Sequence, residues 1–139
     1  MKKVEISKTV KSTVLTKREI TKIVNFVFQK EKIKNYSVSI LFVGDIEMKS
    51  LHTKYLNKNS TTDVLTFVLN DNPLETEFCL NVEEAKRQAE IYKVSLKNEI
   101  ARLIIHCALH SIGFDDITEK LKNKMFAVQE KYLKNILKN

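Results

Sequence analysis

The segment Ile105-His106-Cys107-Ala108-Leu109-His110-Ser111-Ile112-Gly113-Phe114-Asp115-Asp116 holds two of the chain's three histidines and closes on a glycine and paired carboxylates. Residues four apart on a helix project from one face about one turn apart, so His106 and His110 can grip a single ion. Leu103, Ile104 and Leu109 wall that site from bulk water, and Gly113 can take the left-handed conformation that ends a helix and turns the chain back. The return brings Asp116 towards the ion as a third ligand. Three protein ligands with an open fourth position mark a catalytic zinc rather than a structural one, because the open position holds a water that the metal acidifies. Asp116 has a competing use, since Asp116-Ile117-Thr118-Glu119 is also an Asp-x-x-Glu capping pattern. The protease motif His-Glu-x-x-His is absent, because position 107 is Cys.

The same segment resembles the His-x-x-x-His-x-x-x-x-x-His signature, written HGxLHLxGYDH, of the YbeY family of bacterial rRNA maturation factors. Leu109, His110, Gly113 and Asp115 match it, and Phe114 stands for Tyr. Upstream, the run from Leu51 to Phe67 is similar to the family's LNxxYRGKDxPTDVLSFP, and Glu77 to Asn81 to its GDIxIS strand, with Thr76 where Gly is usual.

The resemblance implies a metal-dependent single-strand endoribonuclease acting in maturation of the 16S rRNA 3′ end and in ribosome assembly. It makes His106, His110 and Asp116 the catalytic and metal-ligating set, with Asp115 supporting them from outside. It implies one Zn2+ per chain or another divalent transition metal, and single-stranded RNA and the small ribosomal subunit as partners, with no DNA. Lys54, Lys58, Ser60, Thr61 and Thr62 lie in the loop that the family places beside the metal, and would position the RNA backbone.

Three departures stand out. Asp116 replaces the third histidine, Leu56 replaces the arginine after Tyr, and Cys107 replaces a glycine. A carboxylate binds zinc as well, and favours somewhat harder ions. A leucine offers no charge to a phosphate, which keeps open a rival of another class: a ribosome-associated RNA-binding assembly factor with a structural metal and weak or lost chemistry. Hydrolysis of a peptide or small amide is a third reading, opposed by the missing glutamate at position 107 and by the basic charge. His52, outside the signature, is expected at the surface or the cleft edge.

Charge agrees with an anionic partner. The net charge is +7 and the pI about 9.4, and lysines near phosphates release condensed counterions on binding. The lysines of the C-terminal segment are expected to solvate a helix face. Cys79 and Cys107 are too few for a disulfide framework and read as reduced, buried thiols. No run approaches membrane-spanning length and the charged opening has no apolar stretch behind it, so a cytoplasmic protein without a membrane partner is expected.

At 139 residues, with 43% hydrophobic content, two glycines and one proline, the chain reads as one domain over residues 1–139. Alternation gives strands near residues 3–9 and 35–43, the latter from Tyr36, Val38, Ile40 and Phe42. Residues 63–69 and 77–81 form two more, joined through Asn70-Asp71-Asn72-Pro73. Thr16-Lys17-Arg18-Glu19 is a capping box opening a helix to about residue 29. Gly44-Asp45, Asn81 and Ser95 open helices to about residues 55, 92 and 112. A last helix over 117–136 turns Leu121, Met125, Val128 and Tyr132 inward. The expected fold is α+β, a small mixed four-stranded sheet packed with about five helices.

Overall fold

Tyr36, Val38, Ile40 and Phe42 alternate with Ser37 and Ser39 along β2 (Tyr36–Val43), an inner strand of the sheet in the computed structural model, which describes residues 1–138. β2 runs parallel to β1 (Lys2–Lys8) on one side and to β4 (Leu74–Asn81) on the other. β3 (Val64–Asp71) lies antiparallel to β4 at the edge, so the order is β1-β2-β4-β3. The register sets Val38 beside Thr76, Ile40 beside Phe78 and Phe42 beside Leu80. Successive side chains point to opposite faces, so these six form one buried layer.

Beneath that layer lie α1 (Lys17–Lys30) and α4 (Leu96–Ser111). Thr16 and Glu19 cap α1 reciprocally, and Ile20, Ile23, Val24, Val27 and Phe28 form its buried stripe. Ser95 caps α4 by accepting from the Asn98 N–H. α4 packs against α1, α3 (Val82–Tyr92), α5 (Glu119–Lys138) and β3. A helix surrounded in this way must be apolar nearly all round, and Ile100, Ala101, Ile104, Ile105, Cys107, Ala108 and Leu109 are buried. α2 (Asp45–Leu56) covers part of the opposite sheet face, where Met48 joins Val43, Leu65 and Cys79 in a second small cluster. The result is a four-stranded mixed sheet with five helices among the described residues, an α+β fold as the sequence implies.

Several boundaries differ from the sequence-based expectation. β4 begins at Leu74, not 77, because Leu74, Glu75 and Thr76 pair with Tyr36, Ser37 and Val38 of β2. β3 extends to Asp71, and the connection shrinks to Asn72-Pro73, where the Asn70 Nδ2 donates to the Pro73 carbonyl at 2.6 Å. α5 starts at Glu119 rather than 117, and Leu121 in its first turn is 40% exposed beside residues 112–115. His52 is not at the surface: it is 8% exposed, and its Nδ1 meets the Ser60 carbonyl at 2.8 Å. That bond ties the loop after α2 back onto its own helix.

Candidate metal centre

The last turn of α4 and the loop after it build the site. Gly113 N–H donates to the His110 carbonyl and Phe114 N–H to the Leu109 carbonyl, closing the helix end. Gly113 has φ +106°, a region that costs side-chain-bearing residues strain. The reversal carries the Phe114 carbonyl back over the His110 ring, where it accepts from Nδ1 at 2.9 Å. A carbonyl only accepts, so His110 carries its proton on Nδ1 and turns the Nε2 lone pair outward.

His106 is oriented in the same way from a different element. Its Nδ1 donates to the Oε1 of Gln129 on α5 at 2.7 Å. The Gln129 amide is itself oriented, because its Nε2 donates to Glu130 Oε2 at 3.2 Å. The two imidazoles meet edge to face with centroids 4.5 Å apart. Outer hydrogen bonds of this kind fix the tautomer and ring angle of metal-binding histidines.

Asp116 completes the group. Its Oδ2 lies 3.9 Å from His110 Nε2, and ligand atoms of His106, His110 and Asp116 all fall within 4.8 Å of one another. The helix cap it competes for is taken by Thr118, whose hydroxyl accepts from the Leu121 N–H, so the Asp116 carboxylate is left to the cleft. Asp115 turns the loop: its Oδ1 accepts from the Ile117 N–H at 3.1 Å. Two imidazoles and a carboxylate are a donor set that divalent transition metals accept. Burial, then the neighbouring His106, hold His110 below the usual imidazole range, overcoming the opposite pull of Asp116, the Phe114 carbonyl and Asp115. The neutral ring is the one that binds a metal. The group could therefore hold a metal ion.

Behind Gln129 the polar chain continues inward. Arg102 binds Glu130 through Nε and Nη2 at 2.9 and 3.0 Å, and donates from Nη1 to Glu99 Oε1 at 2.6 Å. Glu99 is 2% exposed. Burial works against the charge on Glu130, but the hydrogen bonds from Arg102 and Gln129 hold that carboxyl below its ordinary value. Sequence reasoning missed Gln129. Its signal was a polar residue interrupting the buried stripe of α5 between Met125 and Tyr132.

A model of the family described as Endoribonuclease YbeY matches residues 3–137 of the chain. The chain belongs to the YbeY family. The Endoribonuclease YbeY of Chloroherpeton thalassium is 35% identical over 92% of this chain and 91% of its own. That of Persephonella marina is 29% identical over 98% of this chain and 94% of its own. The fold is also similar to a Thermotoga maritima protein solved in solution, with a TM-score of 0.73 and 25% identity, covering 96% of this chain and 88% of that one.

In this YbeY chain the three donors open into a cleft of about 470 Å³, lined by Leu56, by Asp63 and the β3 residues Val64 to Val68, and by His106, His110 and Asp116. Among the described residues no lysine or arginine lines it. Lys54 lies over the Tyr55 ring, 5.2 Å from its centroid. Lys58 is exposed, its carbonyl accepting from Thr53. The buried Asn81 amide donates to Thr61 Oγ1 and to the Thr62 carbonyl, pinning the loop to the end of β4. The Thr62 hydroxyl donates to Asp63. Ser60 is exposed and is held through its carbonyl by His52. Cys107 is buried, and burial pushes its thiol up to about 12, so it stays protonated at neutral pH. Among the described residues no helix is long and apolar enough to cross a membrane.

Proposed function

We propose that this chain is a zinc-dependent endoribonuclease that hydrolyses single-stranded RNA at the cleft floored by His106, His110 and Asp116, in maturation of the 16S rRNA 3′ end on the small ribosomal subunit in the cytoplasm. The observation that carries the proposal is the pair of imidazoles whose Nε2 atoms, each aimed by a bond on the opposite ring nitrogen, converge with Asp116 Oδ2 in a chain of an endoribonuclease family.

When bound, the ion supplies Lewis acidity and lowers the pKa of water. His106 and His110 hold it through Nε2 while Gln129 and the Phe114 carbonyl keep the rings in register, and Asp116 adds an anionic oxygen from the loop that Asp115 turns. β3 forms the wall along which the RNA lies. Lys54, Lys58 and the hydroxyls of Ser60, Thr61 and Thr62 draw the backbone towards the cleft; contacts of this kind set register without reading sequence. Hydrolysis adds a water oxygen to phosphorus and breaks the bond to the leaving oxygen, which takes up a proton. Incubating the purified protein with single-stranded RNA tests this. Cleavage is expected to stop with a chelator and return with added Zn2+; cleavage that persists in the chelator overturns the metal's role.

One observation favours a second reading, an RNA-binding assembly factor with little chemistry: among the described residues, no lysine or arginine lines the cleft. Leu56, 46% exposed at the mouth, is the position to change. Leu56→Arg is expected to raise kcat/KM on RNA about tenfold or more, since a hydrogen bond to a charged group is worth about 1.5–3 kcal/mol. An unchanged, near-zero rate would leave the binding role standing.

A further inference from the structure

A second cavity, of about 480 Å³, adjoins the metal cleft and shares Asp63 and His106 with it. Its wall includes Tyr92 at the end of α3 and Phe126 on α5, which are 63% and 59% exposed. Both rings are largely exposed yet line the same cavity. The polar part of the wall is acidic: Asp63, Glu99 and Glu130 face a single cation, Arg102. That cation is already paired, since its Nε and Nη2 donate to Glu130 and its Nη1 to Glu99 and Asn98. A phosphate would meet net negative charge there with no free cation to receive it. A neutral, flat ring bearing N–H donors fits instead. Gln88 gives its amide hydrogens to Asp63 and Glu84, which leaves its Oε1 to accept from such a ring.

We infer that this cavity is a nucleobase subsite, taking a base next to the scissile phosphodiester by stacking on Tyr92 and Phe126 and by donating hydrogen bonds to Gln88 and Asp63. The inference rests on the endoribonuclease reading for its place in the reaction, and it divides the work between two cavities. The metal cleft takes the phosphodiester, and the acidic cavity takes an unstacked base, as single-stranded RNA allows. Stacking is tolerant of base identity, whereas acceptor groups at the rim favour bases with an exocyclic amine.

Titration of the wild-type protein with an uncharged nucleoside, adenosine or cytidine, followed by aromatic NMR shifts, separates the subsite from the activity. Shifts at both the Tyr92 and Phe126 rings are expected, and they persist in His110→Ala, in which cleavage is absent. Both rings are exposed, so Tyr92→Ala and Phe126→Ala keep the fold. Each is expected to raise KM for an RNA oligonucleotide by roughly 5- to 150-fold, the range that one base stack is worth, with a much smaller change in kcat. If wild type cuts no RNA yet the nucleoside shifts both rings, the activity fails and the subsite stands. If wild type cuts RNA, the nucleoside moves neither ring and both alanine variants keep the wild-type KM, the subsite is overturned.

Discussion

His110→Ala is expected to remove the bound metal and to lower RNA cleavage by at least about a thousandfold, without unfolding the chain. The loss follows from ligand count. With His110 gone the site retains His106 and Asp116, and two protein ligands, one of them a carboxylate 52% exposed on a loop, hold a divalent ion weakly. Folding should survive, because the His110 side chain is 25% exposed and its hydrogen bond to the Phe114 carbonyl lies at the helix end, outside the apolar core. Elemental analysis of freshly purified protein checks the claim, with circular dichroism as the folding control. Wild type should carry close to one ion per chain, and His110→Ala and Asp116→Ala well below that. Stoichiometric metal in both variants would remove the ligand assignment. Metal loss with unchanged cleavage would separate the ion from the chemistry.

How far the sequence could go depended on how local each signal is. The Thr16 and Glu19 capping box, the alternation of Tyr36 to Phe42 and the i, i+4 histidines are all written within one or two turns of chain, and each reappears as a bond or a buried face. Gly113 was readable for the same reason, since its positive φ serves a turn that begins three residues earlier. What escaped was set by distant partners. The start of β4 is fixed by its register with β2, which no local pattern encodes. Asp-x-x-Glu from Asp116 and Thr118 as a cap are equally good local grammar, and the path of the loop gives the cap to Thr118. His52 read as a surface or cleft-edge residue because α2 is weakly patterned, with Met48 and His52 its buried positions. The bond between Gln129 and His106 spans 23 residues, so the orientation of the His106 ring became visible only when α5 was laid beside α4. The half-buried Arg102, with Glu99 three residues before it, could be paired locally; Glu130 could not.

That partly buried network carries the other large expected effect. Arg102→Met is expected to destabilise the fold by about 3–5 kcal/mol near pH 8, because it leaves Glu99, 2% exposed, charged and without its cation. The deficit should depend on pH with a definite sign. Burial already holds the Glu99 carboxyl above its ordinary value of 4.5, against the hydrogen bond and charge of Arg102, and removing Arg102 raises it further. A carboxyl that binds its proton more tightly in the folded state favours folding at acid pH, and that advantage disappears as pH rises through its folded pKa. The variant should therefore lose most stability above that pKa and recover part of it towards pH 5, which urea denaturation at the two pH values would measure. Glu99→Gln in the Arg102→Met background removes the stranded charge and should recover stability at pH 8. An equal deficit at both pH values, with no recovery in the double variant, would show that Arg102 acts through its packed stem rather than its charge. The same substitution frees Glu130 and, through it, the Gln129 amide that orients His106. Metal affinity should then fall about 10- to 100-fold even though no ligand is touched, linking the stability of the α4 and α5 interface to the geometry of the metal site.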